Sequence, residues 1–428
     1  FPCGGMSASF SGMEDMMSKE TGKVTRRGFL STAVTGFVSA GMLGMTGRRA
    51  FALQEKREGK DMKGPEPGKI LRRTLGRTGI EIPIVSMGVM NSDNGALIKA
   101  SYELGIRHFD TAAVYMEGRN EQIVGEAIKD LGARDRVYIG TKIFHGGMRE
   151  ETKPADIKNR IPKLCEESLK RLGMDYVDIL YIHSLQEPDE AKNGEIIEAM
   201  QKLKEQGKAR SIGVTTHTRM HEIIDAAVEA GAWDVILTVV NFTLDDYGEL
   251  HDAIERASAK GIGVVAMKTQ AGCHRRSREE WGDYFATPTV STAALKWVLR
   301  NEHITTAIPG YTTFEHMKQD FSVAYGLEYT PEELRLMEDR NIKAAMGFCR
   351  QCNLCRGTCP KGADVATLMR THMYAARYTN FAHARATLRG IPKGAGLDAC
   401  ISCTSCIARC AHSVDIAGNI EELKLIYA

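Results

Sequence analysis

The sequence predicts an α/β protein, a (β/α)8 TIM barrel followed by a small, mainly helical domain. Three observations predict it. From Lys69 to about residue 326, β-branched apolar runs alternate with amphipathic helical stretches, the pattern of a barrel whose strands are each followed by a helix. No G-x-G-x-x-G follows the first run, which disfavours an open, dinucleotide-binding sheet. Eight of the eleven cysteines fall in two tight groups after Phe348, in a stretch with its own helical pattern. The 428 residues suffice for one large domain and one smaller one, and 43% hydrophobic with 26% charged residues is an ordinary globular composition. With 56 Lys and Arg against 54 Asp and Glu, the net charge of +2 gives no electrostatic case for a nucleic-acid partner.

Taken in chain order, the first element is Thr25-Arg26-Arg27-Gly28-Phe29-Leu30, which leads a mildly apolar, Gly/Ala/Ser-rich run to Met45 and then Ala50-Phe51-Ala52, spaced for a signal peptidase. Paired arginines before such a run resemble a twin-arginine (Tat) signal, so residues 1–52 are expected to engage the Tat export machinery. The expected location is extracytoplasmic or periplasmic, with tethering to the membrane if the signal stays uncleaved. A buried helix or short anchor is the alternative reading. Residues 53–68, ending Gly64-Pro65-Glu66-Pro67-Gly68, read as a polar linker.

The barrel is expected over 69–330. Its candidate strands are 84–89, 106–109, 137–142, 178–183, 210–214, 234–240, 262–266 and 304–308. Chemistry in such barrels sits at the C-terminal ends of the strands. There the second strand delivers Asp110 and, after Thr111-Ala112-Ala113-Val114, Tyr115. The third ends in Thr141-Lys142, and the fourth in Ile182-His183. A hydride arriving at a carbonyl carbon leaves charge on oxygen that must be protonated or held, and a tyrosine, ordinarily near pH 10, needs a cation beside it to release a proton. Lys142 would supply that cation, Asp110 would hold Lys142, and His183 would orient the substrate oxygen.

This set resembles the aldo-keto reductases, whose Asp, Tyr, Lys and His occur in that chain order with the same five-residue spacing between Asp110 and Tyr115. The resemblance extends to Arg73-Thr74-Leu75-Gly76-Arg77-Thr78-Gly79, Gly118-Arg119-Asn120-Glu121, Ile212-Gly213-Val214 and Ile308-Pro309-Gly310. It implies a small carbonyl or alcohol substrate and a nicotinamide cofactor, NAD or NADP. Cofactor contacts are expected at Thr215 and Thr216, where many relatives carry Ser-Asn, and at Pro309, Gly310 and His316 after the last strand. Gly310 and His316 cannot make the charge-assisted pairs that a 2′-phosphate requires, although Lys318 lies close by.

A helix is expected at 331–346, opened by Thr330-Pro331-Glu332-Glu333. At about 1.5 Å per residue it would span roughly 24 Å and return the chain to the catalytic face. The last domain, 331–428, then carries Cys349-x-x-Cys352-x-x-Cys355-x-x-x-Cys359-Pro360 and Cys400-x-x-Cys403-x-x-Cys406-x-x-x-Cys410. Each is the spacing of a [4Fe–4S] site. Structural zinc is the alternative, though it more often takes two separated Cys-x-x-Cys pairs. The pattern resembles two-cluster ferredoxins, which implies crossed ligation: Cys349, Cys352 and Cys355 with Cys410, and Cys400, Cys403 and Cys406 with Cys359. The helical stretch Ala363–Leu388 between the groups resembles the α-helical ferredoxin domains of larger redox enzymes. Its Arg370, Arg377, Arg385 and Arg389 read as a solvated face, or as a dock for an acidic redox partner.

Cys165 reads as a core residue, Cys273 with His274 as loop residues, and His217 with His221 as structural. The function these features imply is an oxidoreductase that interconverts a carbonyl and an alcohol by hydride transfer, with two [4Fe–4S] clusters relaying electrons. Two rivals are an electron-transfer subunit whose barrel is a docking platform, and a cytoplasmic reductase with purely structural clusters.

Overall fold

A computed structural model describes residues 69–143, 154–244, 247–271, 289–339, 349–350, 352–403 and 405–427. The twin-arginine segment, the 53–68 linker, Cys3, Cys273 and His274 lie outside them. Among the described residues no helix is long and apolar enough to cross a membrane.

The chain begins with an antiparallel hairpin, β1 (Arg72–Thr74) and β2 (Glu81–Pro83), paired Arg73 to Ile82. Its tip closes the N-terminal end of the barrel. Gly76, at φ +51°, lies so close to Gly261 and Gly263 that a Cβ would sit 2.3 Å from the Gly263 nitrogen, so only glycine fits. Arg73 donates to the Leu299 and Asn301 carbonyls at 2.7 and 3.0 Å. The opening Arg-Thr-Leu-Gly motif is therefore a plug far from the strand ends that carry chemistry.

The barrel strands are β3 (Met87–Gly88), β4 (His108–Asp110), β5 (Tyr138–Ile143), β6 (Val177–Leu185), β7 (Ala209–Thr216), β8 (Val235–Val239), β9 (Gly263–Met267) and β10 (Thr306–Ala307). All pair in parallel in sequence order, and a bridge from Val85 to Ala307 closes the ring. Both faces of each strand are covered, which is why β8 and β9 are buried end to end. Inside, the Tyr181 ring crosses Gly213, where a Cβ would stand 2.7 Å from the ring and 2.4 Å from the Val235 carbonyl oxygen. The glycine of Ile212-Gly213-Val214 makes room for that ring.

The helix expected at 331–346 begins as the sequence predicts, with Thr330 and Glu333 forming a reciprocal capping box. Glu333 is buried and pairs with Lys296 at 2.7 Å. The helix stops at Glu338, because Asp339 turns extended (ψ 116°). Eight residues reach about 12 Å rather than 24, and 340–348 lie outside the described residues.

The C-terminal domain has helices Val365–His372, Phe381–Gly390, Leu397–Ile401 and Ile416–Tyr427, with a π-helical turn at Met373–Arg377. Val365, Leu368, Ile391, Ile420 and Leu423 form its own core, against which several of the cysteines pack. A second small cluster, Met373, Tyr374, Ala375 and Ala384, packs on Met90 of the barrel. Asn380 bonds the Met90 carbonyl and the Asn91 side chain at 3.2 and 3.0 Å. Arg389 reaches Glu117 at 3.5 Å, and Arg356 reaches Glu187 at 3.2 Å. The domain thus covers the barrel at the strand ends that bear Asp110, Lys142 and His183. The expected solvated arginine face divides. Arg370 is buried, 8% exposed, Arg385 lies over Tyr427, and Arg389 remains outside.

Candidate active site and cysteine centre

Asp110 ends β4, Lys142 lies on β5 and His183 on β6, so parallel pairing sets the three strand ends side by side. Lys142 Nζ donates to Asp110 Oδ1 and, at 2.6 Å, to the Thr111 carbonyl. Both side chains are sealed from water, at 1% and 2% exposed. Burial pushes the Asp110 carboxyl up and the Lys142 ammonium down, while each partner's charge opposes its shift.

Tyr115 begins the turn after β4, where Met116 and Glu117 both hold left-handed backbone (φ 51° and 56°). Two such residues without glycine store strain, and Arg389 of the C-terminal domain holds Glu117. The turn is anchored below by Asn120, whose amide donates to the Val89 and Ser92 carbonyls at 2.9 Å, and by Glu121, which pairs with Arg171 at 2.6 Å. The Gly118-Arg119-Asn120-Glu121 motif is therefore scaffolding for the tyrosine. Lys142 Nζ lies 4.9 Å from the Tyr115 ring centroid. The sequence reading has this cation easing proton loss from Tyr115. In the structure burial, then Asp110 and Tyr374, raise the phenol well above its usual range, so Tyr115 keeps its proton.

His183 sits at a register shift in β6, next to Ser184 with φ +61°. Bulges at strand ends re-aim side chains, and this one turns His183 to within 6.0 Å of Tyr115, ring to ring. Burial, with Lys142 adding, holds it neutral well below its ordinary value.

Thr215 and Thr216 do not line the cleft. The Ser184 N–H donates to Thr215 Oγ1 at 2.7 Å, and Thr216 Oγ1 donates to the Thr218 carbonyl at 2.6 Å. Thr215 serves the bulge that aims His183. Pro309 and Gly310 do line the cleft, whereas His316, on helix Phe314–Ser322, does not. His217 and His221 are not a pair: His217 faces the cleft, and His221 approaches Glu249 at 3.6 Å. Cys165 is a core residue, its thiol pushed up to about 12 chiefly by burial.

Three cleft residues escaped the sequence reading, and a fourth, His217, was assigned only a structural role. His217 and Lys268 follow β7 and β9, and the strand-end rule that selected the other site residues also reaches them. Tyr374 and His383 come from the C-terminal domain, where no local signal marks them. The His383 ring lies 5.2 Å from Tyr115 and 4.3 Å from Tyr374, so the two form a roof over the catalytic tyrosine.

The eight cysteines are half-buried. The Cys355 thiol is pushed up to about 11 by burial, with Cys352 and Cys410 among its neighbours. Cys400 is raised by burial and then by Cys359 and Cys403. Each fourth cysteine thus stands beside the other group's loop. Among the described residues no three cysteine sulfurs lie within 4.8 Å of one another.

Comparison with known proteins agrees with this geometry. Residues 86–341 match the Aldo/keto reductase family, and residues 348–415 match a 4Fe-4S dicluster domain. L-galactose dehydrogenase of Arabidopsis thaliana is 28% identical over 294 residues, 61% of this chain and 90% of that protein. Methylglyoxal reductase DkgB of Salmonella typhi is 32% identical over 194 residues, 44% and 67% of the two chains. An aldo-keto reductase from Klebsiella pneumoniae, solved in complex with NADPH, shares the fold at 24% identity and TM-score 0.50, covering 63% of this chain and 95% of that one.

Proposed function

We propose a function for this chain on the footing that it belongs to the aldo/keto reductase family. It is an oxidoreductase that interconverts a small carbonyl compound and its alcohol in the cleft of Tyr115, Lys142, Asp110 and His183, with two [4Fe–4S] clusters relaying electrons to or from that cleft. The observation that carries this reading is the roof: the cluster-bearing domain itself supplies Tyr374 and His383 against Tyr115.

In the reducing direction the neutral His183 holds the carbonyl oxygen. Tyr115, kept protonated by burial, gives its proton to that oxygen as charge develops there. The Lys142 charge then steadies the phenolate, and Asp110 fixes the ammonium in place. The roof excludes water from the proton transfer, since Tyr115 is only 7% exposed.

A nicotinamide, when bound, supplies the hydride. The phosphate end of such a cofactor fits the residues present. Gly310 lines the cleft, and the helix capped by Thr313 begins just after it. Thr215 and Thr216 do not fit as a carboxamide clamp, because their hydroxyls are engaged with the backbone. The eight-thiol donor set fits two iron–sulfur cubes, which supply one-electron transfer, in the crossed assignment of Cys410 to the first loop and Cys359 to the second. In this reading the Arg26-Arg27 signal takes the cofactor-loaded protein through the Tat route, and the reaction runs outside the cytoplasm.

Tyr115→Phe tests the reading. With anaerobic holoprotein, a nicotinamide donor and a panel of small aldehydes and ketones, the variant should lose roughly 10²–10⁴-fold in kcat. Unchanged turnover would favour the barrel as a docking platform.

A further inference from the structure

Lys268 is the first residue beyond β9, and it holds left-handed backbone at φ +53°. A lysine in that region is strained, and the conformation is kept by bonds to its carbonyl from Asn241 Nδ2 at 3.2 Å and the Ala271 N–H at 3.1 Å. The twist sends the side chain into the cleft. There Nζ donates to the Tyr374 hydroxyl at 2.5 Å and lies 4.5 Å from that ring's centroid. Both contacts are neutral. No carboxylate of the described residues lies within 4 Å of it.

A second cation stands behind the first. Arg370 is buried, and among the described residues its side chain makes one long hydrogen bond, 3.4 Å, to Thr367 Oγ1. Its charge and that of Lys268 both reach His217 and His383 and help hold the two rings neutral, after burial. Those rings are 7% and 6% exposed and line the cleft, and each has an Nδ1 without a hydrogen-bond partner among the described residues. Among the described residues the only carboxylate lining the cleft is Asp110, which Lys142 already occupies.

Burial and the Arg370 charge disfavour the Lys268 ammonium, with Cys349 opposing them, and an anion brought into the cleft would offset that cost. The cleft therefore offers a positive, donor-rich wall beside the proton donor: Lys268 to Tyr374, Tyr374 to His383, and His383 to Tyr115. We infer that the substrate is a carbonyl compound carrying its own carboxylate, and that Lys268 is the specificity-determining residue that holds the carboxylate while Tyr115 and His183 address the carbonyl. This deepens the reductase reading above and rests on it. A phosphate of the dinucleotide offers the same oxyanion chemistry. The substrate carboxylate is favoured because the Lys268 partners lead to Tyr115, whereas the phosphate end is placed at Gly310.

The test uses anaerobic holoprotein, wild type and Lys268→Met, with pyruvate and pyruvamide as a size-matched acid and neutral pair, together with NAD⁺ and NADP⁺ titrations of both proteins. The wild type should prefer the acid in kcat/KM. The variant should cut the acid-to-amide ratio roughly ten- to hundredfold, mainly through KM for the acid. A ratio unmoved by the substitution overturns the inference and leaves the reductase reading standing. An equal loss of affinity for both dinucleotides, with the acid preference intact, also overturns it and assigns Lys268 to phosphate. If neither compound is turned over yet calorimetry shows Lys268-dependent binding of pyruvate, the carboxylate seat stands and the reductase reading fails.

Discussion

Replacing Asp110 by asparagine removes the directly paired carboxylate of a lysine that is 1% exposed, leaving only the more distant Glu121 charge among the described residues. Lys142 would keep the Thr111 carbonyl at 2.6 Å, a single neutral acceptor for an ammonium group. Breaking a buried pair in this way costs about 3–5 kcal/mol, whereas replacing both partners by apolar side chains is often close to neutral. With a urea dependence of about 3 kcal/mol per molar for a domain of this size, the midpoint should fall by roughly 1–1.7 M. The three tryptophans, Trp233, Trp281 and Trp297, all lie within the barrel sequence, so fluorescence follows that domain alone. Asp110→Asn combined with Lys142→Met should recover most of the lost midpoint while remaining inactive. If the double variant is as unstable as the single one, packing rather than charge explains the loss, and the role given to the pair is wrong.

His108 and His383 are held down to about 3, and His183 and His217 well below 6.5, each chiefly by burial. Their stability contribution is complete above the unfolded value near 6.5 and is lost as pH falls from there towards 3, by about 1.4 kcal/mol per pH unit for each histidine; urea midpoints that do not fall between pH 6.5 and 4.5 would contradict the burial of these rings. Gly213→Ala should destabilise the barrel by about 1–3 kcal/mol through overpacking on Tyr181 and the Val235 carbonyl, read as a lower thermal midpoint. Cys410→Ser should remove the cluster of the Cys349–Cys355 loop and spare the other, lowering bound iron from about eight to about four per chain; intact signals from that loop's cluster would reject crossed ligation.

Much of this site is legible from the chain because two simple rules act locally. β-branched runs mark buried parallel strands, and polar residues at their C-terminal ends mark chemistry, which locates Asp110, Lys142 and His183. Tyr115 and the cysteines follow from fixed spacing. The same rules fail where a side chain has a choice of partner. Thr215 and Thr216 stand at the right strand end, but the bulge at Ser184 claims one hydroxyl and the Thr218 carbonyl the other. The 331–346 helix has a strong start, yet its stop at Asp339 has no glycine or proline to announce it. Arg370 reads as solvated from its helix alone and is buried because another domain lies against it. Tyr374 and His383 reach the cleft only through that domain packing, which no local pattern encodes.

The most direct test joins cleft and clusters in one experiment. Holoprotein reduced anaerobically with dithionite, with NAD(P)⁺ present, is mixed with a carbonyl compound while cluster absorbance and alcohol are followed together, in wild type and in Tyr115→Phe. The account predicts one alcohol for every two electrons leaving the clusters, with both processes slowed roughly 10²–10⁴-fold in the variant. Cluster reoxidation at the wild-type rate in Tyr115→Phe, with no alcohol formed, would contradict it.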